Sequence, residues 1–155
     1  MARVLIVQGH ARSRADPAAT LRAEGHEVLE AGSADNGARL AQRCGYATGD
    51  RLLQAFAGLL RESCRTGDTV ARLEAEAFLL LLPGTRLDAA GYVAERVRRR
   101  ATVIGSALGP DGPTLTASFG VAEHRPPDTW RDLLDRAKAA LTRAKRAGRN
   151  RCEVA

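Results

Sequence analysis

The stretch that most limits how this 155-residue chain can fold is "TVARLEAEAFLLLLPG", residues 69 to 84. It holds two runs of strand length around Glu74-Ala75-Glu76-Ala77, so it reads as a β-hairpin. In the second run every residue from Phe78 to Leu82 is apolar. A strand with one wet face alternates, so an unbroken apolar run marks a strand covered on both faces, in the interior of a sheet. The hairpin therefore requires helices on the sheet, and the flanking sequence supplies them.

"GDRLLQAFAGLLRESC" puts Leu52, Leu53, Phe56, Leu59 and Leu60 on one helical face, with Asp50 as a cap candidate. "RLDAAGYVAERVRRRA" predicts a second amphipathic helix with Val93 and Val97 inward and a basic outer face. "TLTASFGVAEH" predicts a strand, and "RPPD" a turn. "TWRDLLDRAKAALTRAKRAG" predicts a third helix closed by Gly148, and "RNRCEVA" a short final strand. The order strand, helix, hairpin, helix, strand, helix, strand predicts an α/β sandwich whose sheet contains antiparallel strands.

The chain opens with the strand-like "RVLIVQ", a helix from Asp16 and Pro17 to Gly25, and a second strand, "HEVLEAG". This opening resembles the start of a bacterial receiver domain, although Gln8-Gly9-His10 stands where that family has paired acids. Phosphorylation is therefore not expected. Residues 1–27 are read as a receiver-like remnant and 28–155 as the main unit. Local pattern leaves open whether "RVLIVQ" lies at a sheet edge, is displaced, or pairs with another molecule.

Charge and cysteines narrow the function. The net charge is +6, and only Lys138 and Lys145 are lysines. Arginine-rich surfaces suit phosphates and guanine edges, and equally an ordinary solvated face. Cys44, Cys64 and Cys152 have no metal-binding spacing and suit a reducing cytoplasm. No stretch has the length of a membrane span.

Over residues 28 to 155 four segments together resemble the GGDEF family, the diguanylate cyclases that make cyclic di-GMP from two GTP. They are "GYATGDRLL", "DTVARLEAEAFLLLLPGT", "LTASFGVAE" and "LLDRAKAALTRAKRAGRNR". The resemblance implies a ferredoxin-like mixed sheet with helices packed on it. It also implies roles for particular residues. Glu74 and Ala75 occupy the positions of two glycines that let the backbone approach GTP, since no Cβ intrudes there. Glu76 matches the metal-binding acid of the signature, and Ala77 replaces the next acid. Ser33 falls where the other metal carboxylate belongs, Asp35 at a later aspartate, and Ala41 where an asparagine would read guanine. Asp50, Lys145 and Arg149 match positions that touch guanine or phosphate. Mg²⁺ on a triphosphate needs several oxygen ligands. On these substitutions the reading is a vestigial active site, no enzyme activity and no metal.

The same resemblance points to a second site. Arg65-Thr66-Gly67-Asp68 matches the RxxD motif at which many cyclases bind their own product, and Arg96 aligns with the arginine that completes it. An arginine fork can donate to guanine O6 and N7, and a carboxylate can accept from N1–H and N2–H. The expectation is a non-catalytic cyclic di-GMP receptor, holding the ligand as a stacked dimer and regulating a protein partner, with a homodimer possible. The alternatives are a ligand-independent interaction module and, ranked last, a basic nucleic-acid-binding protein.

Overall fold

The computed structural model describes residues 3–8, 46–73, 76–104 and 114–155. Its elements run β1 (Arg3–Gln8), α1 (Tyr46–Glu62), β2 (Thr69–Arg72), β3 (Ala77–Leu81), α2 (Leu87–Ala101), β4 (Ser118–Glu123), α3 (Trp130–Arg146) and β5 (Cys152–Val154). The five strands form one mixed sheet in the order β2-β3-β1-β4-β5. β1 is antiparallel to both neighbours, and only β4 and β5 run parallel. This is the expected α/β sandwich with a ferredoxin-like sheet.

The apolar run of β3 is explained by what lies on each side of it. Phe78, Leu80 and Leu82 turn to a core shared with Leu52, Phe56 and Leu60 of α1 and Ala90, Ala94 and Val97 of α2. Leu79 and, less deeply, Leu81 turn the other way, to Leu133, Leu134, Ala137 and Leu141 of α3. The sheet thus has α1 and α2 on one face and α3 on the other, as period-2 side-chain alternation requires. Phe56 and Phe78 meet edge to face, ring centroids 5.6 Å apart, in the arrangement the ring quadrupoles favour.

β4 approaches the backbone of α3 closely at a glycine. A Cβ on Gly120 would lie 2.1 Å from the carbonyl oxygen of Ala137 and 2.4 Å from the amide nitrogen of Leu141. Only glycine lets α3 pack this near the sheet. The start of α3 is held by a capping box. Thr129 Oγ1 accepts from the Asp132 amide at 3.3 Å, and Asp132 Oδ2 accepts from the Thr129 amide at 2.8 Å.

The N-terminal strand takes none of the three positions considered for it from sequence, because its pairing is set by strands remote in the chain. β1 lies in the middle of the sheet, with Val7 opposite Phe78 on one side and Phe119 on the other. The predicted helix from Asp16 and the predicted strand "HEVLEAG" lie outside the described residues, as do Ser33, Asp35, Ala41, Cys44, Glu74 and Ala75. No helix among the described residues is long and apolar enough to cross a membrane.

Candidate functional site

Two groups of polar residues gather at opposite ends of the β2–β3 hairpin. At the turn end, α1 begins at Tyr46, so Asp50 stands one turn inside the helix rather than capping it. Its Oδ1 is buried and, among the described residues, accepts no hydrogen bond. Asp50 lines a cavity of about 300 Å³ between α1 and the hairpin, together with Gln54, Arg61, Arg72 and Phe78. The Arg72 guanidinium carbon lies 5.8 Å over the centroid of the Phe78 ring, in cation–π contact. Burial pulls Arg72 below the ordinary arginine value, and the Asp50 carboxylate opposes that shift. The cavity therefore offers one unsatisfied acceptor, two guanidinium groups and an aromatic ring. That set suits a flat ring bearing N–H donors on one edge and an anionic substituent.

Glu76 enters β3 at the same end and is buried, at 6% relative exposure. Strand register places Lys145 and Arg149 there as well. Gln8 of β1 pairs with Ala77 and with Ser118, and the Asn150 amide donates to Ser118 Oγ at 3.0 Å. Lys145 belongs to the last turn of α3, and Arg149 follows it with φ at 63°. The sequence-predicted residues Asp50, Glu76, Lys145 and Arg149 thus converge on one end of the sheet. Ala77 is buried beside them at the first position of β3. Arg72 and Arg61 were not singled out from sequence. Arg72 ends β2, and the sequence pattern marks only its strand placement.

At the other end, Arg65 to Asp68 form a tight turn. The Asp68 amide donates to the Arg65 carbonyl at 3.0 Å, and Gly67 takes φ +98°, a conformation glycine adopts without strain. Asp68 Oδ2 accepts from the Arg65 amide at 2.9 Å. Its Oδ1 is 3.5 Å from Arg65 Nε and makes no hydrogen bond, although the Asp68 side chain is only 6% exposed. Arg65 Nη2 donates to the Pro83 carbonyl at 2.7 Å and to Thr85 Oγ1 at 3.1 Å. Arg96 Nη2 donates to the Ser63 carbonyl at 3.0 Å, reaching from α2 to the end of α1. Cys64 lies in the field of both groups. Burial first, then Asp68, pushes its thiol up to about 11, with Arg96 opposing. Arg65 and Asp68 thus share one turn, and Arg96 reaches the chain just before it, at Ser63.

The basic face of α2 is partly paired within the molecule. Arg98 and Arg99 both donate to Glu95, at 2.7 and 2.9 Å, and Arg100 donates to Glu62 at 2.8 Å.

Comparison with known proteins supplies the remaining findings. Residues 33–151 match the family model "Diguanylate cyclase, GGDEF domain". The chain is 42% identical over 108 residues to the diguanylate cyclase DgcM of Escherichia coli, covering 69% of this chain and 25% of that one. It is 36% identical over 121 residues to the diguanylate cyclase DgcP of Pseudomonas aeruginosa, covering 78% of this chain and 18% of that one. Among solved structures, the diguanylate cyclase SiaD of Pseudomonas aeruginosa, in complex with its activator SiaC, superposes with a TM-score of 0.76 at 32% identity. That alignment covers 99% of this chain and 50% of that one. The chain thus spans a quarter or less of the curated relatives just described.

These findings correct three expectations. A non-catalytic receptor, the absence of enzyme activity and the absence of a metal were all inferred from substitutions in the signature. The relatives at 36% to 42% identity are diguanylate cyclases by name, and such cyclases work with Mg²⁺ or Mn²⁺. The inference rested on Ser33, Ala41, Glu74, Ala75 and Ala77, single positions taken apart from the cavity that Asp50 and Arg72 line. Among the described residues no three potential metal ligands cluster.

Proposed function

Because the chain belongs to the GGDEF family, we propose that it serves cyclic di-GMP synthesis. It takes GTP at the sheet end where Asp50, Arg72 and Glu76 gather, and it holds the dinucleotide product at the opposite end on Arg65, Asp68 and Arg96. The observation that carries this reading is the buried, unsatisfied carboxylate oxygen of Asp50 on the wall of a 300 Å³ cavity. Leaving such an acceptor unmet costs about 1–3 kcal/mol. Guanine supplies donors for it at N1–H and N2–H, and adenine has no such pair on that edge, so the site selects GTP over ATP.

Lys145 and Arg149 are suited to the triphosphate, one as a point charge and one as a fork. When bound, a divalent ion would neutralise phosphate charge, and Glu76 is the described residue that would face it. In the overall reaction each of two GTP molecules loses pyrophosphate as the 3′-oxygen of the other forms a phosphodiester bond. That stoichiometry calls for two copies of the domain facing each other, so a homodimer is part of the reading. At the product site the dinucleotide would sit as a stacked pair. Residues 1–27 lend β1 to the unit of 28–155, which supports one folding unit rather than two.

Glu74 and Ala75 make the expected turnover slow, because a carboxylate and a methyl group stand where glycines would admit the triphosphate. The test is chromatographic detection of cyclic di-GMP after incubating the protein with GTP and Mg²⁺ or Mn²⁺. Slow product formation is expected, with none of the adenine counterpart from ATP. The double change Glu74→Gly, Ala75→Gly is expected to raise the rate about ten-fold. No product from either protein would sink the proposal.

A further inference from the structure

We propose that Thr85 is a positioning residue for the dinucleotide site: with the Pro83 carbonyl it latches Arg65 shut, so that capture of a guanine dinucleotide requires the latch to open. This inference rests on the reading of Arg65, Asp68 and Arg96 as a ligand site.

The argument is one of donor counting. A guanidinium offers a fork through two neighbouring nitrogens, either Nε with Nη2 or Nη1 with Nη2. Both forks need Nη2. In Arg65 the two Nη2 hydrogens are committed, one to Pro83 O at 2.7 Å and one to Thr85 Oγ1 at 3.1 Å. Two-point contact with guanine O6 and N7 therefore displaces at least one of them. The carboxylate half of the site is held by the same residue. Asp68 Oδ2 accepts from the Arg65 amide, and Oδ1, buried and without a hydrogen bond, lies 3.5 Å from Arg65 Nε. Moving the Arg65 side chain off its latch therefore also releases Oδ1 to accept from guanine N1–H.

The latch also spans the hairpin's base. Arg65 precedes β2, whereas Pro83 and Thr85 follow β3, so the contact ties the entry of the hairpin to its exit. Opening it frees the exit of the strand whose other end carries Glu76. Thr85 is the weaker of the two anchors and the one a side-chain change can remove, because the Pro83 acceptor is backbone.

The experiment is isothermal titration of cyclic di-GMP into the full chain, with Thr85→Val, Thr85→Ser and Arg65→Ala as variants. Removing one hydrogen bond from the guanidinium that competes with ligand should tighten binding about five-fold in Thr85→Val. Thr85→Ser, which keeps the hydroxyl, should bind like the parent protein. Arg65→Ala should weaken binding by more than about ten-fold. Circular dichroism melts accompany each titration, and Thr85→Ala is read in place of Thr85→Val if the latter is unfolded. If the hydroxyl-free variant binds no tighter while Arg65→Ala still loses binding, the latch is wrong and the ligand site stands. If Arg65→Ala binds as the parent does, the ligand site falls and the latch with it.

Discussion

Replacing Gly120 by alanine tests the packing on which both ends of the molecule depend. The added Cβ would sit 2.1 Å from the Ala137 carbonyl oxygen, 2.4 Å from the Leu141 nitrogen and 2.9 Å from the Leu141 Cβ. Two of these three atoms are helix backbone, so no rotamer change relieves the clash. Reaching ordinary contact requires α3 to retreat from β4 by roughly 1.3 Å, separating Leu133, Ala137 and Leu141 from Leu79 and Ala122. Overpacking of this kind costs about 3 kcal/mol. For a domain of this size that corresponds to a fall of about 6–12 °C in the melting midpoint. Gly58 provides the matched control, because a Cβ there meets nothing within 4 Å and the residue lies inside α1. Gly58→Ala should raise the midpoint by about 2–4 °C through helix propensity alone. The assay is a thermal melt by circular dichroism for both variants. A Gly120→Ala midpoint within about 2 °C of the parent would show that α3 is not seated as described.

Two further expectations concern titration. Hydrogen bonds from Arg98 hold the Glu95 carboxyl well below the usual range, at about 2, with Arg99 adding to the effect against some desolvation. A depressed carboxyl stabilises the fold above its unfolded value of 4.5 and loses that contribution as pH falls toward 2. Glu95→Gln should therefore lower the urea midpoint at pH 7, and the gap from the parent should close between pH 4.5 and 2; a gap that stays constant across that range refutes the linkage. Burial, aided by Glu95, pushes the Cys152 thiol up to about 12, and burial with Asp68 pushes Cys64 to about 11. In a Cys44→Ser background, alkylation by iodoacetamide should be slow at pH 8 and still rising at pH 10; a rate that levels off below pH 9 contradicts the assignment.

The parts of this fold that sequence reveals are those set by short-range pattern. Leu52, Leu53, Phe56, Leu59 and Leu60 fall at helical spacing, and all five are buried on α1. The run from Phe78 to Leu82 marks an interior strand because covering both faces leaves no place for polar residues. The start of α1 was less legible. Asp50 is a favourable cap residue, but a cap contributes only about 1 kcal/mol, and Asp50 lies inside α1. The neighbours of β1 could not be read at all, since register is decided by strands remote in sequence. Among the polar residues, the members of each cluster were legible through their motif. Their partners were not: Arg65 finds Pro83 and Thr85 across 18 and 20 residues, and Arg96 finds Ser63 across 33. The loss of activity inferred from the turn failed because single positions were weighed ahead of the site around them.

The central place of β1 carries a consequence for how the chain acquires its shape. Its ladder joins Val4 to Leu81 and Arg3 to Glu123, so β1 is completed by a strand made much later than itself. Until Glu123 has been synthesised, "RVLIVQ" has an exposed edge and no second neighbour, although the α1–β2–β3–α2 segment can already collapse on its own apolar face. Pairings this distant in sequence close late and slowly, because the loop entropy is lost before the contacts are gained. The sheet is therefore finished from its middle, after its flank, and the vulnerable interval in the life of this molecule falls between the birth of β3 and the arrival of β4.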